Sequence, residues 1–136
     1  MTSRFEQTVV DCQDPRRLAL FWCGVLGYTV HEDRDGEKVE IGPASLAPLA
    51  ELRRGPVAPQ LLFVRDEAAK HGKNRLHIDV CPIDSDQPTE VERICALGAT
   101  RVDIGAPKDA SWTVLADPEG NEFCVLRSLA PGEYEE

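Results

Sequence analysis

No stretch of this sequence stays apolar for the length of a membrane span, and the opening MTSRFEQTVV has no apolar signal core. A membrane-embedded role is therefore not expected, and a cytoplasmic location is. No C-x-x-C pair occurs among Cys12, Cys23, Cys81, Cys95 and Cys124, which excludes a zinc ribbon and a thioredoxin-type motif. Five is also an odd number, and several of these residues lie in apolar runs where cysteine packs as a small hydrophobe, so reduced thiols are expected. No glycine-rich loop leads from a strand into a helix, so nucleotide cofactors are not indicated. Ser45, Ser85 and Ser111 lack the G-x-S-x-G context of a nucleophile elbow. Positive charge is scarce as well: 15 Lys and Arg face 24 Asp and Glu, a net charge of −9. Phosphate backbones and anionic membranes select basic surfaces, so neither nucleic acid nor membrane is an expected partner.

The sequence is otherwise that of a globular domain. Its 136 residues are enough to bury one core, and 42% hydrophobic with 29% charged residues is ordinary for a soluble protein. Phe5–Cys12 (FEQTVVDC) is rich in β-branched residues and predicts a strand ended by Gln13–Asp14–Pro15. Asp14 suits a helix N-cap and Pro15 a first helical residue. Leu18, Phe21, Trp22, Val25 and Leu26 then repeat as one apolar helical stripe, which Gly27 ends. Tyr28–Glu32 and Lys38–Ile41, around a turn at Asp33–Gly36, predict a hairpin. Residues 42–59 contain four prolines and two glycines and are expected to be mostly loop. Gln60–Arg65 (QLLFVR) reads as a strand, and the polar stretch 66–74 as an exposed connection.

After residue 74 the pattern restarts. Leu76–Cys81 predicts a strand, and Asp86–Gln87–Pro88 a second helix start with Val91, Ile94, Cys95 and Leu97 as its apolar stripe. Gly98 is the stop, and Ala99–Ile104, Ser111–Ala116 and Asn121–Arg127 are three further strands. The C-terminal APGEYEE is acidic and expected to fray. Each half thus spells strand, helix, strand, strand, strand, and LGY at Leu26–Tyr28 recurs as LGA at Leu97–Ala99. Counting back from the two glycines puts Gln7 and His77 at nearly equivalent places in the two opening strands.

The run QTVVDCQDPRRLALFWCGVLGY, the stretch KNRLHIDV and the ending WTVLADPEGNEFCVL resemble the vicinal oxygen chelate superfamily and, within it, the glyoxalase-like domains. The resemblance covers residues 5–127. It implies an α+β domain of two βαβββ modules, 5–65 and 75–127, joined by the linker 66–74 and followed by an acidic tail, 128–136. The modules would form a curved eight-stranded mixed sheet around a cleft. It implies homodimers, since relatives often complete their pockets across subunits. In metal-dependent relatives, His, Gln or Glu on the opening and closing strands hold a divalent ion such as Zn, Ni, Mn or Fe. Gln7 and His77 match the two opening-strand positions and are the metal ligands if metal is bound.

The closing strands match less well. Counted from the D-P-E-G-N turn, the position for a carboxylate falls on Cys124, which needs deprotonation to serve as a ligand. Glu122 shares its face by alternation, and a shifted register would present Glu122 instead. QLLFVR offers only Gln60 at its start. The expected reading is therefore a small organic molecule held without a complete metal site and without a cofactor, in a pocket of Gln7, Val9, Asp11, Phe63, His77, Asp79, Trp112 and Cys124. His77 is the candidate general base. The alternative is a metal-dependent lyase or oxygenase with Gln7 and His77 as ligands, or a cofactor-free isomerase using His77 with Asp79 or Asp11. Arg75 is either a contact for an anionic substrate group or a solvated surface residue.

Overall fold

The computed structural model describes residues 2–103 and 109–132. The chain divides into two compact units, one up to Ala69 and one from Lys70. Each carries one strand–helix–strand–strand–strand module with its own four-stranded mixed sheet, so the eight strands form two sheets of four. The repeat read from the sequence is therefore a repeat of structure.

The first module opens with β1 (Gln7–Cys12) and continues into helix α1 (Pro15–Leu26). The Asp14 carboxylate accepts from the Arg17 backbone N–H, satisfying one of the donors a helix start leaves open. At the other end Gly27 takes a left-handed φ of 69°, and its N–H reaches Cys23 O. The inward stripe is Leu18, Ala19, Phe21, Trp22 and Val25, with the rings of Phe21 and Trp22 meeting edge to face at 5.4 Å.

β2 (Thr29–Arg34) and β3 (Lys38–Gly42) form the hairpin. Its turn has Asp35 and Gly36 both at positive φ, 52° and 72°, which matches the right-handed twist of the strands. Glu37 N–H closes the turn on Arg34 O. β4 (Gln60–Arg65) pairs parallel with β1 and antiparallel with β3, giving the order β1-β4-β3-β2. Val39, Ile41, Leu61 and Phe63 are buried on the face that α1 covers. Between β3 and β4 the expected loop contains a short helix, α2 (Leu49–Arg54), with no buried residue and no side-chain cap. A helix with no buried residue leaves no apolar stripe to read.

The second module has β5 (Asp79–Val80), α3 (Gln87–Leu97), β6 (Thr100–Arg101), β7 (Thr113–Ala116) and β8 (Glu122–Val125), in the order β5-β8-β7-β6. β5 is much shorter than the expected Leu76–Cys81. The Glu122 carboxylate takes the Asn74 N–H, and the chain joins the β8 ladder only at Ile78, whose carbonyl accepts from Cys124 N–H. α3 is capped by Asp86 on Thr89 N–H and buries Val91 and Ile94. Leu97 is exposed, because six residues from Val91 it has rotated off the inward stripe. Ile104, expected to end a strand, lies outside the described residues.

Two further expectations change. The polar connection 66–74 is exposed for most of its length, but Lys70 and Asn74 are bonded to Glu122 of β8. The tail is not free from residue 128 onward. Ser128 and Ala130 are buried, Ser128 Oγ donates to Ser85 O, and Leu129 N–H donates to Pro82 O. Among the described residues, no helix is long and apolar enough to cross a membrane.

Candidate functional site

On the first sheet the face turned away from α1 carries the polar groups. Strand alternation and the β1–β4 register place Gln7 beside Gln60, Val9 beside Leu62 and Asp11 beside Val64 on that face. Val9 is 53% exposed, an unusual setting for a strand valine. Phe63 faces the other way and is completely buried under α1. It belongs to the core, because the pleat that presents Gln60 and Leu62 on one face must present Leu61 and Phe63 on the opposite one.

Two residues that the sequence did not single out stand on the same face as Gln7. His31 is the extra residue of a β-bulge, where the β2–β3 register shifts between Val30 and Glu32. Its Nε2 is 2.7 Å from Pro43 O, and its Nδ1 is 3.2 Å from Gln60 Nε2. Gln60 Nε2 also donates to Glu40 Oε1 at 3.2 Å. The visible signal was a His and a Glu in facing hairpin strands, but which pairs meet depends on a bulge that the sequence does not announce.

On the second sheet Asp79 lies directly opposite Cys124, and Val114 flanks Cys124 on its other side. Cys124 is buried, with Asp79 as its partner across the β5–β8 pairing. Burial pushes the thiol pKa up, and the Asp79 carboxylate pushes it further, against a smaller opposing effect of Lys73. Cys124 is thus held as a neutral thiol. His77 is exposed, with Nε2 3.0 Å from Asn74 O and 3.0 Å from Lys73 Nζ. Trp112, two residues before Val114, is 39% exposed.

Glu122 is committed elsewhere. Its Oε1 accepts from Lys70 Nζ at 2.7 Å and its Oε2 from Asn74 N–H at 3.0 Å, while Lys70 also donates to Gly72 O. Burial alone would raise its pKa. The Lys70 hydrogen bond, the backbone N–H groups of Asn74 and of Glu122 itself, and the Lys70 charge outweigh that and bring it to about 2. The preceding turn is built on Asp117, whose Oδ1 accepts from the N–H groups of Glu119 and Asn121, with Gly120 at φ 89°. This Asx-type network is what the D-P-E-G-N motif encodes, and it sets where β8 begins.

On the second sheet the ligand positions of the resemblance hold an exposed imidazole, His77, and a buried protonated thiol, Cys124, while the Glu122 carboxylate is already paired with Lys70. That donor chemistry does not fit the ion the resemblance implies. Among the described residues, no three His, Cys, Asp or Glu side chains converge as a metal cage.

The family model for the glyoxalase-like domain matches residues 7–126. Solved structures agree on the fold. A glyoxalase/bleomycin resistance protein/dioxygenase family enzyme from Burkholderia phytofirmans PsJN is 17% identical, with a TM-score of 0.65 over 90% of this chain and 97% of that one. The fosfomycin resistance protein FosX from Listeria monocytogenes is 12% identical, with a TM-score of 0.67 over 98% and 96%. FosX from Mesorhizobium loti is 14% identical, with a TM-score of 0.64 over 93% and 92%. No curated protein matches the chain.

Proposed function

This chain belongs to the glyoxalase-like domain family, and from that premise we propose that it binds a small organic molecule without a divalent ion at the family's strand positions. The observation that carries this reading is the Asp79–Cys124 contact. The position where the resemblance calls for a carboxylate holds a neutral thiol, whose pKa is raised first by burial and then by the Asp79 carboxylate beside it. A neutral thiol is a small, weakly polar wall and not a ligand for a hard ion. His77 and Asp79 supply hydrogen-bonding groups on the second module, with Trp112 as an exposed apolar surface. Gln7 and Asp11, flanking the exposed Val9, do the same on the first. A few polar groups set among apolar ones are the usual form of a small-molecule site. Phe63 acts from the core, by supporting β4.

Metal analysis and a binding screen test this together. Untagged protein purified without chelator is examined by elemental mass spectrometry beside Gln7→Ala and His77→Ala variants. Any divalent metal present is expected to be unchanged by either substitution. A stoichiometric ion lost in both variants overturns the reading and makes the chain a metal-dependent lyase or oxygenase with Gln7 and His77 as ligands. A thermal-shift screen of small polar-aromatic compounds should then yield ligands that stabilise the wild type and fail to stabilise His77→Ala. We further infer a homodimer, checked by sedimentation, and a reducing, cytoplasmic setting, to which the five unbridged cysteines are suited.

A further inference from the structure

Three polar side chains from three different strands meet on the outer face of the first sheet. His31 Nδ1 lies 3.2 Å from the Gln60 side-chain amide, Glu40 Oε1 lies 3.2 Å from the same amide, and His31 Nδ1 and Glu40 Oε1 are 3.8 Å apart. Ligands held at about 2.0–2.2 Å from one divalent ion stand roughly 3.0–3.5 Å from each other, so His31 Nδ1 and Glu40 Oε1, 3.8 Å apart, need only a few tenths of an ångström of closure, with the Gln60 amide turned over beside them. We propose that His31, Glu40 and Gln60 form a binding site for a divalent transition-metal cation, separate from Gln7 and His77.

The imidazole is prepared for this role. Pro43 O can only accept, so the 2.7 Å contact assigns the proton to His31 Nε2 and leaves the Nδ1 lone pair facing Glu40 and Gln60. A ligating histidine whose other ring nitrogen donates to a backbone carbonyl is the usual supporting arrangement of a metal site. The bulge at His31 turns this ring onto the face, and Gly42 makes room for it. A methyl group at Gly42 would lie 2.6 Å from His31 Cε1 and 3.0 Å from Gln60 Cγ. The ring is nearly buried but not sealed, with 11% of the side chain exposed for His31 and 26% for Glu40. Without an ion, the Gln60 NH₂ group bridges the two acceptors. With one, the amide turns over and its Oε1 becomes the third ligand, leaving the remaining positions to water. One imidazole with two oxygen donors suits Mn, Co, Ni or Zn and carries no thiolate preference.

The chain has three histidines, His31, His71 and His77, so imidazole resonances identify the site in the unmodified protein. Substoichiometric Mn²⁺ is added to the full-length chain, and the three imidazoles are followed by ¹⁵N-edited NMR. Selective broadening of His31 is expected. Broadening of His77 first, or equal broadening of all three, overturns the proposal. Co²⁺ titration should show one equivalent with no thiolate charge-transfer band. Affinity should fall at least tenfold in His31→Gln, and also in Gly42→Ala, which keeps every ligand but displaces the ring. Unchanged affinity in a folded Gly42→Ala, or a site lost in Gln7→Ala, overturns it equally. If His31→Gln does not fold, Glu40→Gln with the wild-type NMR decides.

Discussion

Replacing Glu122 by Gln removes the charge from the clasp that ties Lys70 and Asn74 to β8 while nearly preserving its volume. An unfolded glutamate titrates near 4.3, and Glu122 in the fold titrates at about 2. That difference corresponds to roughly 3 kcal/mol at neutral pH, and solvent at the partly exposed Lys70 end reduces it to about 2 kcal/mol. The sign follows from proton affinity. The folded carboxylate binds a proton more weakly than the unfolded one, so its contribution is complete above about pH 5 and disappears as pH falls toward 2. Urea unfolding followed by circular dichroism, at steps from pH 7 down to pH 2.5, should show Glu122→Gln less stable by about 2 kcal/mol at pH 7. The two stabilities should converge toward the acid end. Other carboxylates titrate in both proteins alike, so the difference isolates Glu122. Parallel pH profiles, or equal stabilities at pH 7, would refute the clasp.

Asp79→Asn removes the charge that adds to the effect of burial in raising the Cys124 thiol pKa, so that pKa should fall. Site-resolved mass spectrometry of alkylation, with exposed Cys81 as internal standard, should show Cys124 reacting faster at a given pH. Gly27→Ala forces a side chain into the left-handed region at φ 69°, a cost of about 1–2 kcal/mol read from the urea midpoint. Phe63→Ala should cost about 3–5 kcal/mol, because it opens a cavity under α1. Val9→Ser on the opposite, exposed face should stay within about 0.5 kcal/mol and should weaken binding of any ligand found in the screen.

The repeat was legible because strand and helix periods, and the capping pairs Asp14–Gly27 and Asp86–Gly98, are local properties. Alternation likewise puts Gln7, Val9 and Asp11 on one face. It did not say which face was turned outward, so Phe63 could be taken for a pocket wall when it is core. Helix α2 escaped notice because it buries nothing. The length of β5 did too, because where the chain joins the β8 ladder, at Ile78, is set by a pairing 46 residues away in sequence.

The candidate sites divide along the same line. The sequence by itself determined the family, the paired modules and the identity of the residue where a metal-binding carboxylate would stand. Only the tertiary structure decided that burial and Asp79 together raise the Cys124 thiol pKa, that Lys70 occupies Glu122, and that His31, Glu40 and Gln60 converge. Secondary structure follows from neighbours a few residues apart. A side chain's protonation and direction follow from groups brought beside it by strand register and by a bulge, and these are set only when the sheet forms.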